Sequence, residues 1–303
     1  MDSRTQTFEE QRWRLFGLAY RLLGSASEAE DMVQETYLRW SRAAEAVEEP
    51  AAWLTKVVTN LCLTHLTSAR ARRESYVGPW LPEPVLTSGG PLGPLETVEQ
   101  RESVSLGVLV LLERLSPAER AVFVLREAFG HSHAEIAGVL GIEEAHSRQL
   151  HRRARAHVGE ARKRFDSDAE QHRRIVRGFL AAAVEGDVAT LERLLAEDAV
   201  ASADGGGTVP AVRRPVRGRV QVARYLRGLH NRPEMAAVTF EFAEINGEPA
   251  ALAWWRGGGG LFGIITAELT GGRVTAVRTL VNPGKLAYVA AQLGTSAPGM
   301  IEL

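Results

Sequence analysis

Cysteine is nearly absent from this sequence, which has one, Cys62, in 303 residues. That excludes a disulfide framework within the chain and any zinc site built on cysteines; it suits a reducing compartment, and the expected place of Cys62 is the core. Long apolar runs are lacking too. The longest, around Leu106 to Leu112, falls far short of the roughly 20 residues of a membrane span. Met1 to Gln11 is polar and acidic rather than basic and then apolar, so neither a secretory leader nor a membrane anchor is expected, and the expected location is cytoplasmic. Net charge is small: 36 Lys and Arg against 37 Asp and Glu leave −1. Taken alone this argues against nucleic-acid binding, which needs positive charge on the contacting face. The average conceals a sorting by segment, with bases crowded into Ala69 to Arg73 and Arg148 to Arg164 and acids into Glu28 to Glu35 and Glu45 to Glu49.

What is present is an ordinary globular composition, 45% hydrophobic and 24% charged, in a chain long enough for two or three modules. From Phe8 to Arg73 the pattern is helical, with Gly17, Gly24 and Pro50 as the main punctuation, and three helices are expected. In the second, Ala29, Met32, Val33, Thr36, Tyr37 and Trp40 form an inward stripe with Ser27 as the expected cap, leaving Asp31, Gln34, Glu35 and Leu38 on the other face. The third opens at Pro50 and buries Leu54, Val57, Val58, Leu61 and Leu66; its opposite face carries Lys56, Thr59, Asn60 and Thr67 and runs into Arg70, Arg72 and Arg73. Between Ser75 and Glu96, proline and glycine forbid a long helix, so this is a linker. It holds Trp80 and Leu81 among prolines, side chains costly to leave in water, so part of it is expected to dock. Helical periodicity returns from Glu99 to Phe165. After Asp166 to Glu170 come two amphipathic helices (Gln171 to Glu185, Asp187 to Ala196), a glycine-rich turn, a helix near Val220 to His230 and strands at Ala237 to Ile245, Ala250 to Trp255, Gly263 to Leu269 and Val274 to Leu280. The expected fold class is therefore multidomain: two all-α bodies and an α+β body, divided as 1–75, a linker at 76–98, 99–166 and 170–295.

His131 to Val158 reads as a helix-turn-helix. Ser132 can cap a helix whose Ile136, Ala137 and Leu140 face inward, Gly141 supplies the left-handed residue of the turn, Ile142 plugs the corner, and Ala145, Leu150 and Ala154 let the second helix pack closely. The outward face of that helix offers Glu144, Arg148, Gln149, Arg152 and Arg153. Arginine carries paired donors that match the guanine edge, glutamine a donor and an acceptor that match the adenine edge, and further arginines can hold phosphates. A helical hairpin with a solvated basic surface is the plainer alternative.

LSPAERAVFVLREAFGHSHAEIAGVLG followed by SRQLHRRARAHV resembles region 4 of extracytoplasmic-function sigma factors, and LFGLAYRLLGSASEAEDMVQETYLRW with PAAWLTKVVTNLCLTHL resembles their region 2. Two matches in the right order around a linker are more specific than either alone. The resemblance implies core RNA polymerase as partner, with Asp31, Gln34, Glu35 and Leu38 on the β′ clamp helices and region 4 at the β flap. It also implies promoter DNA, with Trp53, Lys56, Asn60 and Arg70 at the melted minus-ten element and Glu144, Arg148, Gln149, Arg152 and Arg153 as the region 4 reading face. Trp53 is equally well read as a core residue at a helix start.

The C-terminal part is similar to the SnoaL-like α+β cone that one branch of these sigma factors carries. The supporting motifs are WLPEP at Trp80 to Pro84, DGGG at Asp204 to Gly207 and NPGKL at Asn282 to Leu286; Thr208 and Gly284 stand where the branch usually has lysine and an acid. The resemblance implies that the cone docks on the linker through Trp80, Leu81, Pro82, Asp204, Gly205, Gly206, Asn282, Lys285 and Leu286 and sets the spacing of the two DNA-binding bodies. No cofactor or metal is expected, and the cone leaves room for a small ligand. Two other readings stay open: a ligand-sensing helix-turn-helix regulator that does not engage polymerase, and an enzyme whose acid/base candidates would be Asp204, His172, His230 and Glu241. Asp204 before three glycines is also ordinary turn chemistry.

Overall fold

The computed structural model describes residues 3–43, 47–74, 76–87, 92, 100, 103–162 and 169–295, with the side chains of 3, 69–74, 159–162 and 169 outside the description. The chain divides into two compact units, one of Met1–Glu74 with Thr87–Glu160 and one of Ser75–Leu86 with Ala161–Leu303. The linker is thus split: its first part belongs to the C-terminal unit, and the helical parts on either side of it share the other.

In the first unit α1 (Ser3–Leu23), α2 (Ala26–Arg42) and α3 (Pro50–Glu74) pack on one another. Gly24, at φ 67°, ends α1, so the cap of α2 falls on Ser25, whose side chain accepts from the Glu28 amide, and not on Ser27 as the sequence suggested. Ala29, Val33, Thr36 and Trp40 are buried along α2 as its periodicity requires. Leu54, Val58, Cys62 and Leu66 are buried along α3. Thr59, expected on the outer face, is fully buried and donates its hydroxyl to the Thr55 carbonyl at 2.7 Å. The buried arc of α3 is wider than a stripe because helices α5 (Pro117–Glu127) and α6 (His133–Leu140) pack on it in addition to α1 and α2.

The short α4 (Leu106–Leu112) precedes α5, and α7 (Glu144–Arg162) follows α6. Ser116 caps α5 and Ser132 caps α6, each in a reciprocal box with the glutamate three residues on, Glu119 and Glu135. Arg120 on α5 is buried and donates to the Arg21 carbonyl of α1 at 3.2 Å, while Arg21 donates to the carbonyls of Gly17 and Gln100 and to Ser103 Oγ. Burial lowers the Arg21 pKa to about 10, which still leaves it charged at neutral pH.

The second unit begins with α8 (Ala169–Glu185) and α9 (Val188–Leu194), the latter capped by Asp187, and continues with β1 (Leu195–Asp204), β2 (Val216–Arg217), α10 (Arg219–His230) and a 3₁₀ turn at Pro233–Ala237. Then come β3 (Val238–Ile245), β4 (Glu248–Trp255), β5 (Leu261–Thr270), β6 (Arg273–Leu280) and α11 (Pro283–Gln292). The sheet order is β2-β1-β6-β5-β4-β3, with β1 parallel to β6 and every other pair antiparallel. The sequence reading missed β1, placing a helix end and a turn there. Its alanine-rich LAEDAVASAD has little strand propensity of its own; pairing with β6, distant in sequence, fixes it.

Val176, Phe179, Leu180, Leu191, Val222 and Leu226 of α8 to α10 pack on Ala199, Ala201, Ala251, Ala267 and Val277 of the sheet. Since strand side chains alternate, Asp204 projects from the face opposite Ala199 and Ala201. On that side it meets Lys285 of α11, whose Leu286 and Val289 are fully buried. Among the described residues no helix is long and apolar enough to cross a membrane.

Candidate functional site

Three surfaces gather the residues singled out by the sequence. The first is the outer face of α7. Gly141 takes φ 66° between α6 and α7, and Ile136 and Ala137 are buried beneath the turn. The contact side of α7 is made by Ser147, Leu150, Ala154 and Val158; Ala145, expected among them, is exposed. The difference is one of phase. His133 Nδ1 lies 3.0 Å from Ser147 Oγ and Glu127 Oε1 lies 2.9 Å from His151 Nε2, and these contacts roll the 147–151 side inward. Arg148, Gln149, Arg152 and Arg153 are left exposed together, and Glu144 is half-buried and ion-paired to Arg148. Burial, and then the neighbouring His151, hold the His133 imidazole below its ordinary pKa.

The second surface is on α2 and α3. Asp31, Gln34 and Leu38 are exposed on α2, Leu38 to 40%, and Glu35 holds Arg39 at 2.9 Å. Leu38 thus stands exposed beside Asp31, Gln34 and Glu35 on one face of α2. On α3, Lys56 and Asn60 are exposed and Trp53 is half-buried, its ring 5.6 Å from that of Trp40. Trp53 therefore belongs partly to the core and partly to the surface. The side chain of Arg70 lies outside the described residues.

The third surface is polar and buried, within the C-terminal unit. Asp204 is fully buried at the end of β1. One carboxylate oxygen accepts from the Tyr76 hydroxyl at 2.6 Å and the Gly206 amide at 3.1 Å. The other accepts from the Leu81 amide at 2.9 Å and the Lys285 ammonium at 2.7 Å. Lys285 also donates to the Leu81 carbonyl and lies 4.1 Å from the ring centre of Trp80 and 4.8 Å from that of Tyr76. Asn282 caps α11 through the Gly284 amide and donates to the Tyr76 hydroxyl at 2.8 Å. Burial, and then its bond to Asp204, push the Tyr76 phenol up from its ordinary pKa. Gly206, at φ 63°, sits so close to Asn282 that a Cβ there would lie 2.4 Å from its amide nitrogen. Leu81, Pro82, Glu83, Pro84 and Val85 are all buried, and so is Leu286.

Thr208 and Gly284, which depart from the branch's usual lysine and acid, lie outside the buried ion pair. Neither carries the ion pair, which runs from Lys285 to Asp204, while Thr208 turns its hydroxyl to the Gly205 carbonyl. Asp204 does bond to Gly206 as a turn residue does, and the same carboxylate anchors the linker. The other acid/base candidates are not gathered around it. Glu241 is exposed on edge strand β3, His230 lies against the Val184 carbonyl, and His172, lowered in pKa by burial, stands near Arg173. Among the described residues none of the four bonds to another, and no cluster suits a metal ion. The sequence reading missed Tyr76, Asn246 and Gln292, which hold the linker by side-chain hydrogen bonds. The run of buried-type residues between the prolines signalled docking of the linker but not these partners.

A helix-turn-helix with a basic outer face, a second helical body with an acidic one and a fused α+β cone define a DNA-directed transcription factor with an appended domain. The family models agree part by part: Sigma-70 region 2 matches residues 7–72, Sigma-70 region 4 matches 105–158, and a SnoaL-like domain matches 176–284. The chain is 39% identical to the ECF RNA polymerase sigma factor SigJ of Mycobacterium tuberculosis over 92% of its own length and 88% of the relative's. It is 32% identical to the probable ECF RNA polymerase sigma factor SigI of the same species over 97% of this chain and 98% of that one. The crystal structure of the M. tuberculosis SigJ superposes with a TM-score of 0.75 at 36% identity, covering 93% of this chain and 98% of the other. The chain belongs to the extracytoplasmic-function RNA polymerase sigma factors, in a form that carries a C-terminal SnoaL-like domain. Relatives matched along nearly the whole chain are sigma factors, which disfavours a ligand sensor that works apart from polymerase.

Proposed function

We propose that this chain brings core RNA polymerase to promoters, with Asp31, Gln34, Glu35 and Leu38 contacting the β′ clamp helices and region 4 seated at the β flap. Trp53, Lys56, Asn60 and Arg70 take the melted minus-ten strand, where the half-buried Trp53 ring and the exposed Lys56 and Asn60 side chains on α3 suit a flipped base and its backbone. Glu144, Arg148, Gln149, Arg152 and Arg153 read and hold the upstream duplex; Glu144 orients Arg148 when DNA is absent. The observation that carries this reading is the joint exposure of four long polar side chains on α7, aimed by a capped, glycine-turned hairpin.

The SnoaL-like unit acts as a regulator in cis and not as an enzyme. Its buried carboxylate faces away from the helix-covered side of the sheet and is spent on the linker backbone and Lys285. By holding Tyr76 to Leu86 it limits how far region 4 can travel from region 2, and so whether one chain can reach both promoter elements. A small ligand that loosens or tightens that hold would tune initiation. The test is reconstitution: the purified chain and core polymerase should comigrate and start transcripts at defined sites, and Trp80→Ala should change the yield. Unchanged transcription by Trp80→Ala would exclude the linker role, and failure to associate with polymerase would exclude the whole reading.

A further inference from the structure

The far end of the docked linker is held by groups outside the motifs that surround Asp204. Ile245 ends β3 and Glu248 opens β4 across a two-residue turn, Asn246-Gly247, with φ 55° and 78°. Both positive angles fit a tight hairpin turn in which Asn-Gly is favoured. Asn246 is the one non-glycine residue at positive φ among those described, and it is fully buried. Its backbone amide donates to the Val85 carbonyl at 2.9 Å, and its side-chain Oδ1 accepts from the Val85 amide at 3.0 Å. The next residue, Leu86, pairs antiparallel with Ile245, and its amide donates to Gln292 Oε1 on α11 at 2.9 Å.

We propose that Asn246, with Gln292, forms a second binding site for an extended peptide, which reads the backbone of Val85 and Leu86 and fixes where the chain leaves the C-terminal unit. This rests on the linker-docking reading above and adds an anchor that acts separately from the Asp204 cluster. The hydrogen bonds from Asn246 and Gln292 described above go to main-chain atoms of Val85 and Leu86, which sets the register of the segment. Asn246 suits both duties: its short side chain tolerates the left-handed angle, and it presents a neutral acceptor in a place where a carboxylate would be a buried charge. The chain passes to the helical unit immediately after Leu86. Release of this anchor alone frees Pro82 to Leu86, five residues that add up to about 17 Å of reach to the tether.

The test separates the two anchors. Asn246→Gly keeps the turn, since glycine accepts φ 55°, and removes the acceptor for the Val85 amide while leaving the backbone amide that donates to the Val85 carbonyl. Amide exchange of the full-length protein, resolved at Leu81, Val85 and Leu86, should quicken roughly tenfold at Val85 in Asn246→Gly and at Leu86 in Gln292→Ala, with Leu81 unchanged in both. Exchange at Val85 and Leu86 that stays as slow in both variants as in the unaltered protein would overturn the second site. So would an unaltered protein protected at Leu81 but not at Val85, which would leave the Asp204 docking standing. Protection at neither position would overturn the docking reading and the second site together. Gln292→Ala removes a half-buried side chain at the end of α11, so it decides the matter even if Asn246→Gly folds poorly.

Discussion

Replacing Asp204 with alanine removes the acceptor of four donors at once: the Tyr76 hydroxyl, the Leu81 and Gly206 amides and the Lys285 ammonium. The ion pair is buried, with side-chain exposures of 9% for Lys285 and 0% for Asp204, so loss of one partner leaves a charge without compensation. Breaking such a pair costs about 3–5 kcal/mol. The Trp80 and Tyr76 rings beside the ammonium return part of this, about 1 kcal/mol between them, which leaves about 2–4 kcal/mol. Applied to docking, that is a rise of roughly 30- to 1000-fold in the undocked fraction. Chymotrypsin cleavage after Trp80 reads this directly, because proteolysis of a transiently open segment tracks its population when closing is fast. Lys285→Met alone should cost less, since three donors still satisfy the carboxylate, and Asp204→Asn combined with Lys285→Met should recover part of the loss. Cleavage in Asp204→Ala within threefold of the unaltered protein would show that the carboxylate does not hold the linker.

Other expectations follow from the same geometry. Arg152→Ala should weaken promoter binding by about 1–3 kcal/mol and relax preference at one base position if Arg152 reads a base, whereas Arg153→Ala should weaken all sequences alike if it holds a phosphate; equilibrium binding across salt concentrations separates the two. Leu38→Asp should reduce comigration with core polymerase and leave the thermal midpoint unchanged, since the side chain is 40% exposed. His131 and His133 are both held below their ordinary pKa of 6.5, chiefly by burial, so the unfolded chain takes up protons first as pH falls. The stability they contribute is complete above pH 6.5 and is lost as pH falls through their lower folded values, so the helical unit should melt earlier at pH 5 than at pH 7.5 by an amount that His133→Gln reduces. Tyr76 titrates the other way: its raised pKa means that docking is full below the ordinary phenol value near 10 and weakens as pH climbs toward the folded one, seen as faster cleavage after Trp80 in strongly alkaline buffer.

Local signals made the helical half legible. Capping serines, a left-handed glycine and apolar three-and-four spacing act within a few residues, and they located α2, α3, α6 and α7 closely enough that most side chains expected on their outer faces are exposed. Errors fell where distant packing decides. Thr59 is buried because region 4 helices cover α3, Ala145 is exposed because histidine contacts set the roll of α7, and β1 is a strand because β6 lies beside it. At the linker, the prolines and Trp80 announced docking, and the resemblance named Asp204 and Lys285. The partners Tyr76, Asn246 and Gln292 were hidden because a single tyrosine, asparagine or glutamine carries no pattern in sequence; only the fold brings Asn246 to Val85.

The central claim is that this polypeptide is the promoter-directing subunit of RNA polymerase. The most direct measurement is transcription from a genomic fragment library by core polymerase, with and without the full chain, mapping the 5′ ends produced. Start sites that appear only with the chain, share upstream and minus-ten sequences and are used less with Arg152→Ala and with Lys56→Ala are the predicted result. A transcript pattern identical in the presence and absence of the chain, from a preparation that is folded by thermal melting, would contradict it.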